Sequence, residues 1–126
     1  MKAKSSNLLV GTHRANRRIW MQGNNLLHAG FEVGKVYSTK IYENHIRLEI
    51  SDNGDKKVSR KKKKVKGVET YEPVIELCNK TITDFFINSE RCKVLYWPDC
   101  VILITHPETN LEAELEQLEN KQDKAA

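Results

Sequence analysis

Eight of the eleven side chains from Lys56 to Lys66 are basic: Lys56, Lys57, Arg60, Lys61, Lys62, Lys63, Lys64 and Lys66. A second knot of cations, Arg14, Arg17 and Arg18 with His13 beside them, precedes the first apolar run. Anion binding is the chemistry such residues can do. Each cation placed at a phosphate releases condensed counterions, and guanidinium groups fork onto phosphate oxygens through paired hydrogen bonds. Together with Arg47, on the polar side of an expected strand, these residues are the candidate nucleic-acid contacts. Base reading is expected to be weak, because few aromatics are free for stacking and no helix is long enough for a major groove.

Catalytic patterns are missing from the chain. It contains no G-x-x-x-x-G-K-[ST], no G-x-G-x-x-G and no G-x-S-x-G, and Gly30 to Gly34 is too short an interval for a phosphate loop. His13, His28, His45 and His106 are scattered, and Cys78, Cys92 and Cys100 match no C-x-x-C pair. The expectation is a non-enzymatic protein with no metal and no cofactor. An odd number of unpaired thiols fits a reducing, cytoplasmic setting with the cysteines buried as small apolar residues.

The elements that must position these groups belong to a chain of 126 residues, 39% hydrophobic and 30% charged, enough for one domain or two very small ones. The net charge of +4 conceals an asymmetry, since residues 106–126 hold six acids and two lysines. The body is therefore basic and the tail acidic. No apolar run approaches the roughly 18 residues that span a bilayer, so no membrane partner is expected.

Two stretches share an order of patterns at a constant separation of 55 residues, Arg18–Ile50 and Pro73–Thr105. Each has an extended apolar run, a polar break at Asn24 or Asn79, a short helical segment, a turn and two β-rich runs about a tight turn. This divides the chain into a basic N-terminal segment (1–17), a first unit (18–50), a basic linker (51–72), a second unit (73–105) and an acidic tail (106–126). The lysine run is expected to be a solvated linker, because so dense a like charge repels itself.

Alternation predicts Ile41 opposite Ile46, Thr39 opposite Leu48 and Tyr37 opposite Ile50 in the first hairpin. The second hairpin is apolar on both faces. Tyr96, Val101, Val94 and Leu103 lie on one side, and Leu95, Trp97, Cys100, Ile102 and Ile104 on the other. Such a hairpin must be covered twice, by the tail or by a second subunit. Thr109 and Glu112 form a capping-box pattern, and Leu111, Leu115 and Leu118 recur at i, i+4 and i+7, which predicts a short acidic helix with one apolar stripe. Leu95, Trp97, Ile102, Leu111, Leu115 and Leu118 are the candidate protein-contact residues.

The stretch AGFEVGKVYSTKIYENHIRLEI, Ala29 to Ile50, resembles the SymE-like toxins and, more distantly, the AbrB and MazE type swapped-hairpin transcription factors. The resemblance implies a β-rich fold with short helices, in which two units exchange hairpins and bind DNA through basic residues on one face. Here both units stand in one chain, so a tandem swapped-hairpin barrel plus a C-terminal helix is expected, as a monomeric pseudo-dimer or a homodimer. The second unit has Phe85 and Ser89 where the first has Gly30 and Gly34. The functional expectation is a DNA-binding protein, regulatory or associated with phage and mobile elements, with duplex DNA or another nucleic acid as partner. An antitoxin-like or anti-defence inhibitor of a host effector protein is the alternative. A SymE-like ribonuclease toxin is the third possibility, implied by the resemblance alone.

Overall fold

Short alternating runs bounded by turn residues fold as strands, and the computed structural model, which describes residues 4–105, is mainly β with two short helices. In chain order the elements are β1 (Lys4–Leu9), β2 (Gly11–His13), β3 (Asn16–Gln22), α1 (Asn24–His28), β4 (Val36–Ile41), β5 (His45–Ile50), β6 (Lys56–Lys57), β7 (Ser59–Val65), β8 (Val68–Cys78), α2 (Lys80–Phe85), β9 (Arg91–Trp97) and β10 (Cys100–Ile104). All strand pairs are antiparallel. Six strands form one sheet in the order β1-β9-β10-β5-β4-β6, and four form a second in the order β2-β3-β8-β7.

The inner faces of both sheets meet in one core. Ile19, Met21, Ile75 and Leu77 enter it from the four-stranded sheet, and Ile46, Leu48, Val94, Val101 and Leu103 from the six-stranded one. Leu26, Phe31, Ile82 and Phe86, from the two helices and the turns after them, fill the remainder. Asn79 starts α2 as an N-cap, its side-chain oxygen accepting from the Ile82 amide at 2.9 Å.

Registers follow the alternation read from the sequence. Ile41 lies opposite Ile46, Thr39 opposite Leu48 and Tyr37 opposite Ile50, while Val101 lies opposite Tyr96 and Leu103 opposite Val94.

A pseudo-twofold relation runs through the pairing. Strands β3, β4 and β5 reappear 55 positions later as β8, β9 and β10, with α1 and α2 between strand and hairpin in each case. The central pairs are symmetric under this shift: β3 lies beside β8 and β5 beside β10. The equivalence extends upstream of Arg18 and Pro73. After β1 and after β6 the chain crosses from one sheet to the other at a buried valine, Val10 or Val58. The Val10 amide donates to the Glu90 carbonyl and the Val58 amide to the Lys35 carbonyl; the two acceptors are 55 positions apart, whereas the two valines are 48 apart. The edge strands are exchanged: β1 joins β9 of the second set and β6 joins β4 of the first.

The expected linker over 51–72 is therefore largely strand. Residues Ser59–Val65 pair with Val68–Val74 to make a β-ribbon, the longer counterpart of the β2–β3 hairpin. Self-repulsion does not melt it, for three reasons. Lys66 and Gly67 take φ of 50° and 81° in a two-residue turn whose twist suits a hairpin. Alternation sends successive cations to opposite faces. The partner strand supplies counter-charges, with Lys62 Nζ 3.1 Å from Glu69 and Lys63 Nζ 3.8 Å from Glu72. The leucine helix expected in 106–126 lies outside the described residues.

Candidate nucleic-acid interface

β7 carries five consecutive cations, Arg60 to Lys64, and every residue of it is exposed. Its pairing with β8 sorts them. Arg60, Lys62 and Lys64 share one face with Tyr71 and Glu69; Lys61 and Lys63 share the other with Thr70 and Glu72. The Arg60 guanidinium sits 4.4 Å from the Tyr71 ring centroid, a cation–π contact that orients it. The tip is apolar, with Val65 and Val68 exposed on either side of the Lys66-Gly67 turn. From Ser59 to Glu72 six cations stand against two carboxylates.

The second face of the ribbon continues onto the outer wall of the four-stranded sheet. Ile19 and Met21 point into the core, so Arg18, Trp20 and Gln22 point out. Trp20 is 36% exposed, with the Arg18 guanidinium 4.5 Å from its ring centroid. Its indole N–H donates to Gln22 Oε1 at 2.6 Å. Arg18 also reaches Glu76 Oε2 at 2.8 Å, so part of its charge is already answered. Trp20, Ser59, Arg60, Lys61, Val74 and Glu76 line a shallow cleft of about 510 Å³ between ribbon and sheet.

Not every candidate cation joins this surface. Arg14, in the β2–β3 turn with φ of 51°, is exposed at the opposite end of the same sheet, because β3 and β8 run antiparallel. Arg17 faces inward and ties strands and loops together. Its guanidinium donates to the Val10 and Ile87 carbonyls at 3.5 and 3.4 Å and meets Glu90 at 3.4 Å. Arg47 stands on the outer wall of the other sheet, 3.7 Å from Glu49 and 5.7 Å from the Tyr42 ring centroid. Lys56 and Lys57 belong to β6 at the edge of that sheet, opposite Tyr37 and Val36. Arg60, Lys61, Lys62, Lys63, Lys64 and Lys66 are gathered on one arm, with Arg18 on the adjoining wall.

Two aromatics, Trp20 and Tyr71, join the surface beyond the residues that sequence patterns single out. Trp20 stands in one apolar run with Ile19 and Met21, and strict alternation is the signal that separates it from them. Tyr71 falls in the stretch whose charge density masks its strand character. Of the candidate protein contacts, Leu95, Trp97 and Ile102 are buried, at 1–2% exposure within a single chain.

Among the described residues no group of three or more His, Cys, Asp or Glu side chains gathers to hold a metal ion, and no helix is long and apolar enough to cross a membrane. Burial pushes the Cys92 thiol up to about 12, and burial, aided by Asp55, pushes the Tyr37 hydroxyl up to about 12. Neither group is primed for nucleophilic work near neutral pH. No protein-family model, no curated protein and no solved structure matches this chain.

Proposed function

We propose that this chain is a non-enzymatic DNA-binding protein whose β7–β8 ribbon grips the phosphate backbone of duplex DNA. The observation that carries the reading is the run Arg60–Lys64, wholly exposed on a two-stranded arm that contributes nothing to the core at those positions. Of these five adjacent cations only Lys62 and Lys63 meet a carboxylate among the described residues, and the surplus positive charge gives the fold nothing. A polyanion is the partner that turns them to advantage. A two-stranded ribbon also matches the width of a B-DNA major groove, where alternate side chains reach the two flanking backbones.

Arg60, Lys61, Lys62, Lys63, Lys64 and Lys66 make phosphate contacts in this reading, with Arg18 and Trp20 extending the surface along the sheet. Arg47, on the opposite wall, is assigned no contact. The pseudo-twofold pairing and the exchanged edge strands support a tandem of AbrB/SymE-like units closed within one chain. Regulation of, or interference with, DNA transactions is the role such a binder would play.

Fluorescence anisotropy with a labelled duplex tests the reading. Binding is expected at low salt, with a log–log salt slope between about −3.6 and −5.4 for four to six neutralised phosphates. No binding at low salt, or binding insensitive to salt, removes the proposal.

A further inference from the structure

The outer wall of the six-stranded sheet bears a second apolar cluster. Leu95, Trp97, Ile102 and Ile104 project from β9 and β10 away from the main core, with Cys100 packed beside them. Their exposure is 1%, 2%, 1% and 2%. Neighbouring strands flank side chains on a sheet face but do not roof them, so burial this complete requires a layer above the sheet. Among the described residues the cluster draws only on β9 and β10, and both helices pack into the other core.

We propose that residues 106–126 of the same chain form that layer, seating Leu111, Leu115 and Leu118 on Leu95, Trp97 and Ile102. The occupant follows from three further observations. The chain leaves the sheet at Thr105, directly after Ile104, which is itself part of the cluster. At helical rise the expected stripe from Leu111 to Leu118 would extend roughly 10 Å, against roughly 7 Å along the strand from Leu95 to Trp97 or from Ile102 to Ile104, so it is long enough to span the patch.

Charge is the third. Lys40, Arg47, Arg91 and Lys93 occupy outward strand positions around the cluster, with Glu49 the carboxylate at such a position on the same strands. Residues 106–126 carry six acids against two lysines. An acidic, leucine-striped segment complements a basic-rimmed apolar wall in both hydrophobicity and sign. The Trp97 indole N–H, buried with no acceptor among the described residues, is a donor such a layer can satisfy. This wall is the one turned away from the β7–β8 ribbon, so the negative tail is held clear of the cationic arm.

The test uses the full chain with Trp20→Phe, which leaves Trp97 the sole indole. Its fluorescence is expected to be strongly shielded from acrylamide. Adding Leu115→Asp and Leu118→Asp is expected to raise the quenching constant several-fold while the strand signal in circular dichroism persists. Quenching that does not change overturns the proposal. A folding failure of that variant is bypassed in the unaltered protein, where nuclear Overhauser contacts between the Trp97 ring and leucine methyls of the tail are expected. Their absence, or their appearance only between differently labelled copies, overturns it, the latter outcome making a second copy the cover.

Discussion

Arg47 and Ile102 lie directly opposite each other in the β5–β10 pair, and they are also equivalent positions, 55 residues apart in sequence. A pair that is both cross-strand and equivalent marks the pseudo-twofold axis. On the inner side of the same strands Ile46, Leu48, Val101 and Leu103 are all 0% exposed and form two equivalent pairs about that axis. Leu48→Ala and Leu103→Ala are each expected to cost about 2–5 kcal/mol, with the two values close, since each opens a cavity in the same environment. Urea denaturation checks this. Costs differing by more than about 2 kcal/mol would show that the symmetry of the strands does not extend to their packing.

The ribbon cations act through charge, so their loss is read in the salt slope. Lys62→Ala with Lys64→Ala is expected to flatten the log–log slope for duplex binding by about 2, close to 0.9 per lost phosphate contact. Arg47→Ala is expected to leave it unchanged. Equal effects from both variants would mean that the arm is not the contact surface.

Gly54 crosses the backbone of Tyr37 so closely that an added Cβ would sit 2.4 Å from its carbonyl carbon. Its amide donates to the Ser51 carbonyl in the turn that delivers β6 to β4. Gly54→Ala must displace backbone, at an expected cost of about 1–3 kcal/mol. Gly11→Ala, whose new methyl would meet the Arg18 carbonyl at an ordinary 3.7 Å, is the control. Thermal melts compare the two, and equal melting temperatures would refute the close-approach argument.

His45 introduces a pH dependence. It is 7% exposed, with Nδ1 2.7 Å from Asn44 Oδ1 and its ring stacked on Tyr42 at 4.6 Å. Its Nε2 is buried without a partner among the described residues, and Ile104 lies across the strand pair. Burial first, then the Arg47 charge, holds the ring below its usual 6.5. The unfolded chain therefore takes up the proton first. The contribution from His45 is full above pH 6.5 and is lost as pH falls toward the lower folded value. The urea midpoint should drop between about pH 7 and about pH 5, and His45→Gln should reduce that drop. Parallel profiles for the two proteins would dismiss His45 as the cause.

Much of the architecture is legible in the sequence because strand alternation is a local property. Registers such as Ile41 with Ile46 and Leu103 with Val94 follow from period-two patterning and turn position alone. The 55-residue recurrence is visible from Arg18 and Pro73 onward. Its upstream half is not, because β2–β3 and β7–β8 differ in length and share only the switch valines, Val10 and Val58.

Composition by itself determined that cations outnumber acids in the body and that the lysine run stays in water. A side chain's charge and its desolvation cost are properties of the residue, wherever the chain puts it. Tertiary structure alone decided that the run is a strand, that Arg17 is committed to backbone carbonyls and that Arg47 faces away from the arm. Those outcomes depend on which distant strand pairs with which: Lys61 gains its place from Glu72, and Arg47 from Ile102. Pairing between segments far apart in sequence is settled by the burial of a shared core, which no local pattern records.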